Sequence, residues 1–292
     1  MRHISEKWDR RVAVVFFGSV RGIRWTRESI QRNVIDWNAD RGTHLVTLGF
    51  INLFDRIDNP RSGETGVRLD RRDLALLPAN RCVVIEQDDR DIEAPLQAAR
   101  LSGDFYNNDF QSVRNLLHQL NSLRVAWDAI TTDPNLSMVD AFLFLRPDLR
   151  YDRPIRIGPH IHKLSSGNTV LLPEWQSFGG FNDRLALADR FGAQVYATRL
   201  DHISDFCVTK PLQAELLLSH CLERGEVRVG RLNARARRVR GDGTVVPEAF
   251  GKSRRQLPRS PQFVTEIPEI SKDTAPLRAR DAVAAKMGRR GG

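Results

Sequence analysis

Two residues that could bind a phosphate or a metal ion follow an apolar run in the segment FLFLRPDLRY, residues 142–151. Pro147 cannot donate to a β-ladder and steers the residue before it away from helix, so Arg146 and Asp148 should lie just beyond a buried strand. Arg146 could bind a phosphate through two parallel hydrogen bonds, and Asp148 could ligate Mg²⁺ or Mn²⁺ or orient a sugar hydroxyl. A turn closed by an Arg–Asp ion pair explains the same pattern, and the spacing alone favours that alternative.

A second group of candidates lies in the segment GGFNDR, residues 179–184. Gly179 and Gly180 would allow the backbone to approach a ligand closely. Asn182 and Asp183 could recognise sugar hydroxyls, and Asp183 could serve as a general base. A glycine turn followed by an Asn or Asp helix cap would use the same residues, and without further context the cap is the better interpretation.

Further positions extend the candidate site. Arg184 ends the GGFNDR segment and is a candidate for substrate binding, whereas Glu174 opens the same loop and is a second candidate for the base. The GSVRG turn, residues 18–22, follows the first apolar run and precedes a predicted helix, so Gly18 and Arg21 could lie near a phosphate. The turn lacks the full dinucleotide-binding and Walker patterns, so by itself it is a weak signal.

Other clusters of reactive side chains favour structural interpretations. The acidic run at residues 86–91 could hold a metal, but a solvated loop explains it better. His160 and His162 would share a face if extended, but no third ligand has metal spacing, so a surface strand or loop is expected. An odd number of widely spaced cysteines argues against a disulfide framework or a zinc cluster and favours a reducing cytoplasm: Cys82, Cys207 and Cys221.

The elements that must position these residues alternate between strands and helices. Apolar runs predict strands at residues 12–17, 44–50, 82–85, 138–145 and 168–173, with further strands over 228–246. Helical spacing predicts one helix capped by Thr26, others over residues 111–131 and 185–199, and a last one between Pro211 and Gly225. This order indicates an α/β fold with a mostly parallel sheet, and ligands of such sheets bind at the carboxyl ends of the strands.

The charge of the chain is concentrated near its end. The 292 residues carry 45 Lys and Arg against 36 Asp and Glu, a formal net charge of +9. Ten basic and four acidic residues fall in 251–292, so this segment holds +6 and the rest only +3. We therefore expect one domain over residues 1–250 and a flexible, disordered basic tail over 251–292. No apolar run reaches the ~18 residues of a membrane helix, and the polar start MRHISEKWDR does not predict a secretory signal.

Taken in order, five segments resemble a family of bacterial sugar transferases associated with surface polysaccharide. The resemblance spans residues 10–247, and its most specific parts are RPDL (146–149) and GGFNDR (179–184). These two parts lie within FLFLRPDLRYDRPI and VLLPEWQSFGGFNDRLAL, and the other three segments are VVFFGSVRG, a helix ending in WD, and ARRVRGDGTVV. The resemblance implies a Rossmann-like GT-A domain that binds a nucleotide sugar at the carboxyl edge of its sheet.

The resemblance also implies roles for individual residues. Gly18 and Arg21 would lie near the nucleotide, and Asp148 would stand where a GT-A enzyme places its metal- or sugar-binding acid. Asn182 and Asp183 would face the donor or the acceptor. No Asp-x-Asp motif is present at Asp148, because Arg146 takes the place of the first acid. That arginine could neutralise the leaving diphosphate in place of Mn²⁺ or Mg²⁺.

The resulting expectation is a cytoplasmic glycosyltransferase that moves a sugar from a nucleotide donor to a glycan or lipid-linked acceptor. The basic tail could add a peripheral contact with the inner membrane through anionic lipid. The alternative is a non-enzymatic nucleic-acid-binding protein that uses the tail. The body has little net charge and no recognised nucleic-acid motif, so nucleic acid is the less favoured partner.

Overall fold

The computed structural model describes residues 10–250 as a mixed α/β fold around a seven-stranded sheet. The strands are β1 (Arg10–Gly18), β2 (Thr43–Leu53), β3 (Arg56–Asn59), β4 (Glu64–Arg68), β5 (Arg81–Glu86), β6 (Ala141–Leu145), β7 (Leu149–Tyr151), β8 (Thr169–Leu172), β9 (Leu185–Ala188), β10 (Arg228–Arg231) and β11 (Ala236–Arg238). The proposed basic tail, residues 251–292, lies outside the described residues.

Eight α-helices and several shorter helical segments connect these strands within residues 10–250. The α-helices are α1 (Ile23–Ile30), α2 (Trp37–Ala39), α3 (Glu93–Ser102), α4 (Gln111–Thr132), α5 (Gly158–Leu164), α6 (Arg190–Ala197), α7 (Ile203–Cys207) and α8 (Ala214–Arg224). A π-helical stretch, Gln31–Asp36, joins α1 to α2, and 3₁₀ turns cover Pro60–Ser62, Arg71–Leu76, Asp89–Ile92, Pro134–Leu136 and Arg199–His202. None of the helices in this part of the chain has the length and apolar character needed to cross a membrane.

The central sheet has the strand order β10-β8-β9-β6-β1-β2-β5, and only β9 runs antiparallel to its neighbours. Both faces of β1 are buried: Ala13, Val15 and Phe17 pack into one core, and the alternate residues pack into the other. A strand covered on both faces must be apolar throughout, which explains the continuous apolar run in the sequence. The predicted α/β fold with a mostly parallel sheet is confirmed.

The single antiparallel strand brings the two candidate motifs together. Leu145, at the end of β6, pairs with Leu185, at the start of β9. The residue that follows β6, Arg146, therefore lies beside the residue that precedes β9, Arg184. Two segments separated by more than 30 positions in the sequence thus meet at the carboxyl edge of the sheet.

Several local predictions are confirmed and others are wrong. The strands expected at 12–17, 44–50 and 82–85 and the helix expected at 111–131 are present. The helix expected over 185–199 is wrong at its start, because Leu185–Ala188 is strand β9 and α6 begins only after Asp189, whose carboxylate accepts a hydrogen bond from the Gly192 amide. Four apolar residues fit the period of a helix as well as that of a strand. They form a strand here because neighbouring strands pair with them on both sides.

Two further predictions are also wrong. Thr26 does not cap a helix: α1 begins at Ile23, and the Thr26 hydroxyl inside that helix donates to the Pro147 carbonyl at 2.6 Å. His160 and His162, expected on a strand or loop, lie in α5. The Thr26 hydroxyl was expected to cap a helix. It hydrogen-bonds instead to the backbone next to Asp148.

Candidate functional site

A cleft of about 730 Å³ opens at the carboxyl edge of the sheet, where the strand order reverses between β1 and β6. The residues after β1 and β6 line it, together with the first half of α4 and the start of α8. Its volume falls within the range of about 300–1,000 Å³ that is usual for small-molecule sites. Position and size both match the place where open α/β sheets bind their ligands.

Asp148 is at the centre of one wall and is held by two arginines. Arg146 donates through Nε to Oδ1 at 3.0 Å and through Nη2 to Oδ2 at 2.6 Å, and Arg21 donates through Nη2 to Oδ2 at 2.7 Å. Burial by itself would raise the pKa of Asp148, but the two guanidinium groups outweigh it and hold that pKa well below its usual range. Asp148 is therefore a carboxylate that fixes two cations in place.

Three more arginines continue this wall. Glu64 accepts from Arg21 and Arg240, both at 3.2 Å. Glu248 accepts from Arg184 at 2.8 Å and from Arg238 at 3.2 Å. We give the name arginine cluster to five of the arginines that line the cleft, those paired with Asp148, Glu64 or Glu248: Arg21, Arg146, Arg184, Arg238 and Arg240.

The arginine cluster carries an excess of positive charge. Its five cations face three buried carboxylates, those of Asp148, Glu64 and Glu248, whose side chains are at most 3% exposed. Burial, with a further contribution from Arg238, lowers the pKa of Arg184 to about 10, so this guanidinium keeps its charge at neutral pH. The carboxylates hold the guanidinium groups in a fixed arrangement, and because five cations face three paired carboxylates, this wall remains positive and can attract an anion.

The GGFNDR loop packs directly against the start of α8. The Phe181 amide donates to the Glu215 carbonyl at 3.1 Å, and a Cβ added to Gly180 would lie 2.0 Å from that same oxygen. The Asn182 side chain stays within the loop, where its Nδ2 donates to the Trp175 carbonyl at 2.5 Å. Gly180 and Asn182 therefore shape the loop, and the loop in turn places Asp183 in the cleft.

Asp183 and Glu215 form the acidic part of the cleft. Gln119 donates to Asp183 Oδ2 at 3.4 Å, and the buried hydroxyl of Tyr196 donates to the Asp183 carbonyl at 2.5 Å. Glu215 accepts from Gln213 Nε2 at 2.6 Å. Burial, together with the negative charge of Asp183, raises the pKa of Glu215 to about 8. A neutral carboxylic acid beside a carboxylate is an arrangement that can hold or pass on one proton.

The Asp183 carboxylate is within electrostatic reach of two parts of the cleft. The Asp183 carboxylate contributes to raising the pKa of Arg146, which belongs to the arginine cluster, although burial opposes this and Asp148 raises it more. After burial and the charge of Glu215, it also contributes to raising the pKa of Tyr106. Asp183 is therefore within electrostatic reach of both the cationic wall and the aromatic residues near Tyr106.

The structure brings together most of the residues singled out from the sequence, but not all. Among the residues that line the cleft are Gly18, Arg21, Arg146, Asp148, Asp183 and Arg184. Gly179, Gly180 and Asn182 support the loop behind Asp183 and are not among the lining residues. Glu174 is also outside the lining set and pairs through Oε2 with Arg231 Nε at 2.9 Å.

Comparison with known proteins finds similar chains among solved structures, and two of them illustrate the likeness. A scan against models of protein families finds no match to this chain, and a search of curated proteins also finds none. Among solved structures, the chain is similar to mouse xyloside xylosyltransferase 1 in its apo form, with 11% identity and a TM-score of 0.39 over 77% of this chain and 85% of that one.

The second neighbour is core-mannan synthase A from Aspergillus fumigatus in a Mn/GDP form, with 9% identity and a TM-score of 0.37 over 76% of this chain and 71% of that one. Identities and scores this low do not transfer an activity from one protein to another. The proposals below therefore stand on the geometry of this chain's own cleft.

The side chains around Asp148 do not form a binding site for a divalent cation. Mg²⁺ and Mn²⁺ need several oxygen ligands, whereas both carboxylate oxygens of Asp148 accept hydrogen bonds from guanidinium groups. Over residues 10–250, no three His, Cys, Asp or Glu side chains are grouped so that they could hold a metal ion. The side chains around this acid suit an anion better than a cation.

Several charged residues of the site were missed by sequence reasoning, Glu248 among them. Glu215 looks like an ordinary first-turn acid of α8, and Glu64 lies in a hairpin for which no strands were predicted. Arg238 and Arg240 stood inside a recognised motif, ARRVRGDGTVV, but were not assigned a role. Their alternating spacing was the one signal that could have found them, since alternate residues of an extended segment point to the same side.

Proposed function

We propose that this protein is a glycosyltransferase that moves a sugar from a nucleotide-sugar donor to a glycan or lipid-linked acceptor in the cytoplasm. One observation supports the proposal most: a preorganised cationic wall and an acidic pair share one cleft at the switch point of the sheet. The cationic wall would bind the diphosphate of a nucleotide sugar. The hydroxyl group that attacks the donor needs a carboxylate nearby.

The arginine cluster binds the donor diphosphate in this proposal. Arg21 and Arg146 are held by Asp148, so they do not have to reorganise when the anion arrives. Negative charge grows on the leaving diphosphate as the sugar departs, and fixed cations stabilise that charge in the transition state. Since the groups around Asp148 do not fit Mn²⁺ or Mg²⁺, the proposed step uses guanidinium groups for this purpose.

Asp183 accepts the proton in the proposed reaction. A hydroxyl oxygen of the acceptor attacks the anomeric carbon of the donor, and the bond between that carbon and the phosphate oxygen breaks. The electron pair leaves with the nucleoside diphosphate, and the hydroxyl proton passes to the Asp183 carboxylate. Tyr196 and Gln119 hold Asp183 in position for this transfer through the contacts described above.

A thermal-shift screen with UDP-, GDP-, CMP- and dTDP-linked sugars, each with EDTA or with Mn²⁺, tests donor binding. A ligand that binds only the native state raises its apparent stability. We expect one class of nucleotide to raise Tm, with a similar rise in EDTA. The change Arg146→Met should reduce the rise, because it removes a cation of the cleft.

The matched control is Arg72→Met. Arg72 also pairs with an aspartate two positions away, at 2.9 Å from Asp70, but it is 90% exposed and outside the cleft. This variant should respond to nucleotides as the wild type does. If none of the four nucleotide classes raises the Tm of the wild-type protein, the proposal is wrong.

A further inference from the structure

Two large aromatic side chains are exposed inside the cleft, one before α4 and one in the loop between β8 and β9. Phe105 is 50% exposed and Phe178 is 52% exposed, and both line the cleft. Tyr106 lines it beside them, with its ring centroid 5.1 Å from that of Phe105. Exposed rings in a concave site keep apolar surface in contact with water, so they are informative about what the site binds.

The backbone near these rings includes an unfavourable conformation and a loop that is fixed by hydrogen bonds. Phe178 has a φ of +42°, in the left-handed region that residues with side chains rarely adopt. The Asp104 carboxylate accepts hydrogen bonds from the amides of Tyr106, Asn108 and Phe110 at 2.7–2.9 Å, which fixes the loop around Phe105. Strain that persists at the rim of a cleft points to a functional constraint there.

The rings lie on the acidic side of the cleft. Tyr106 is close enough to the carboxyl groups of Glu215 and Asp183 for both to affect its pKa, and the Arg61 guanidinium stacks over the Tyr106 ring, 4.4 Å from its centroid. Asp183 is also within electrostatic reach of Arg146, so the cationic wall and Tyr106 are both close to the same carboxylate. A substrate on the aromatic rings and a diphosphate on the arginine cluster would therefore both lie near this carboxylate.

Neutral amide side chains surround the same part of the cleft. They come from α4 and from the residue before α8: Gln111, Asn115, Gln119 and Gln213. Amides donate and accept hydrogen bonds at once, which suits hydroxyl groups. The flat face of a pyranose ring carries C–H groups that pack on an aromatic ring, while its hydroxyls point outward. Rings interleaved with amides fit a saccharide better than a lipid chain, which needs a continuous apolar surface.

We propose that Phe105, Tyr106 and Phe178 form the acceptor subsite, and that the acceptor presents a saccharide which stacks on these rings. The inference rests on the proposed transferase function and narrows its acceptor to a molecule with a sugar at the reacting end. A hydroxyl of that sugar would then lie near Asp183, within reach of the anomeric carbon of the donor.

Saturation-transfer NMR with a panel of named disaccharides tests the subsite in the full-length protein. The probes are cellobiose, lactose, chitobiose and mannobiose, each measured with and without a saturating nucleoside diphosphate. We expect at least one disaccharide to receive saturation at its C–H protons. Its affinity should fall about tenfold in Phe178→Ala and in Phe105→Ala, which corresponds to about 1.4 kcal/mol.

Phe191→Ala is the matched control, because Phe191 is 41% exposed and is not among the residues that line the cleft. It should bind the disaccharide as the wild type does. The subsite assignment would be overturned if all three variants bound the disaccharide with equal affinity. It would also be overturned if none of the probes bound to the wild type. A loss of nucleotide affinity in the Phe105 and Phe178 variants would also overturn it, since the rings would then stack on the base.

The same experiment separates the subsite from the function on which it rests. If a disaccharide binds through the two phenylalanines while no nucleotide binds, the transferase proposal fails and a saccharide-binding site remains. If nucleotides bind and the phenylalanine variants leave disaccharide affinity unchanged, the transferase proposal survives and the subsite assignment is wrong.

Discussion

Glu215 is an acid that the folded protein keeps protonated to a higher pH than the unfolded chain does. Its ordinary pKa is 4.5, and burial together with the charge of Asp183 raises it to about 8. Between these values the folded state binds the proton more tightly, so this residue's contribution to stability is present at low pH and is lost as the pH rises towards 8. Glu215→Gln should remove that loss, because glutamine does not ionise.

The measurement is Tm for the wild type and for Glu215→Gln at intervals from about pH 5 to about pH 8. The wild type should lose more Tm over this interval than the variant. Glu223→Gln, an exposed acid in the last turn of the same helix, is the control and should follow the wild type. Parallel curves for the wild type and Glu215→Gln would show that Glu215 does not titrate in this interval.

A change at Asp148 tests how much the stability of the protein depends on the buried ion pairs of this carboxylate. Asp148→Asn removes the charge that Arg21 and Arg146 face, and an uncompensated buried charge costs about 3–5 kcal/mol. Urea unfolding should show a loss of that size. Added pyrophosphate should raise the Tm of the variant more than that of the wild type, because it supplies the missing negative charge.

The control for this change is Asp70→Asn. Asp70 also pairs with two arginines, Arg24 and Arg72, but these pairs are at the surface. An exposed ion pair contributes about 0–1 kcal/mol, so this variant should remain close to the wild type. Similar losses in the two variants would mean that the Asp148 pairs are no more buried in solution than the surface ones.

At the scale of elements, the packing of the GGFNDR loop on α8 places Asp183. Gly180→Ala would put a Cβ 2.0 Å from the Glu215 carbonyl oxygen, so the loop and the helix must separate. Overpacking of this kind costs about 1–3 kcal/mol, and it should also lower any transfer activity by moving Asp183. Urea unfolding and an activity assay on the same preparation measure both effects.

Gly158→Ala is the matched control, since nothing lies within 4 Å of a Cβ at this position at the start of α5. Alanine favours helix over glycine, so this variant should be as stable as the wild type or slightly more stable. A Gly180→Ala protein with the stability of the wild type would show that the loop is not pressed against α8.

Much of the fold was predictable from the sequence because its strands are buried on both faces. Continuous apolar runs identified β1 and β6, and the period of α4 identified the longest helix. Strand β9 was missed because four apolar residues fit a helix equally well. The hairpin β3–β4 was missed because its residues are mostly polar, so local patterning was too weak to predict it.

The candidate site was predictable only where charged residues end a buried strand. Arg146 and Asp148 were found in this way, and Asp183 was found through its paired glycines. Glu64 and Glu215 were not found, because their burial depends on segments distant in the sequence: Arg240 reaches Glu64 from 176 positions away. Long-range ion pairs of this kind leave no local pattern in a single sequence.

At the scale of the whole molecule, the distribution of charge predicts that the protein binds to anionic membrane surfaces. Residues 251–292 hold +6 of the net +9. The full-length protein should sediment with vesicles that contain anionic lipid and not with neutral ones, and salt should release it. Arg254→Glu combined with Arg255→Glu should weaken this binding several-fold, because four charge units are removed from the basic segment.

A charge-matched control on the body separates local from overall charge. Arg72→Glu combined with Arg90→Glu changes the net charge equally, at two arginines whose side chains are 90% exposed. If the two double variants lose vesicle binding to the same degree, net charge alone is responsible and the basic segment has no special part. Binding to nucleic acid that exceeds binding to vesicles at the same salt concentration would favour the alternative function.

The central claim is that the cleft transfers a sugar with Asp183 as the proton acceptor. The most direct measurement is the release of nucleoside diphosphate from the nucleotide sugar that gives the largest thermal shift, in the presence of a saccharide acceptor. We expect turnover in the wild type and in Asp205→Asn, a change in an exposed ion pair. Asp183→Asn should release product about 10²–10⁴ times more slowly with an unchanged Tm. Turnover of Asp183→Asn at the wild-type rate, with a greater loss in Glu174→Gln, would contradict the assignment of Asp183.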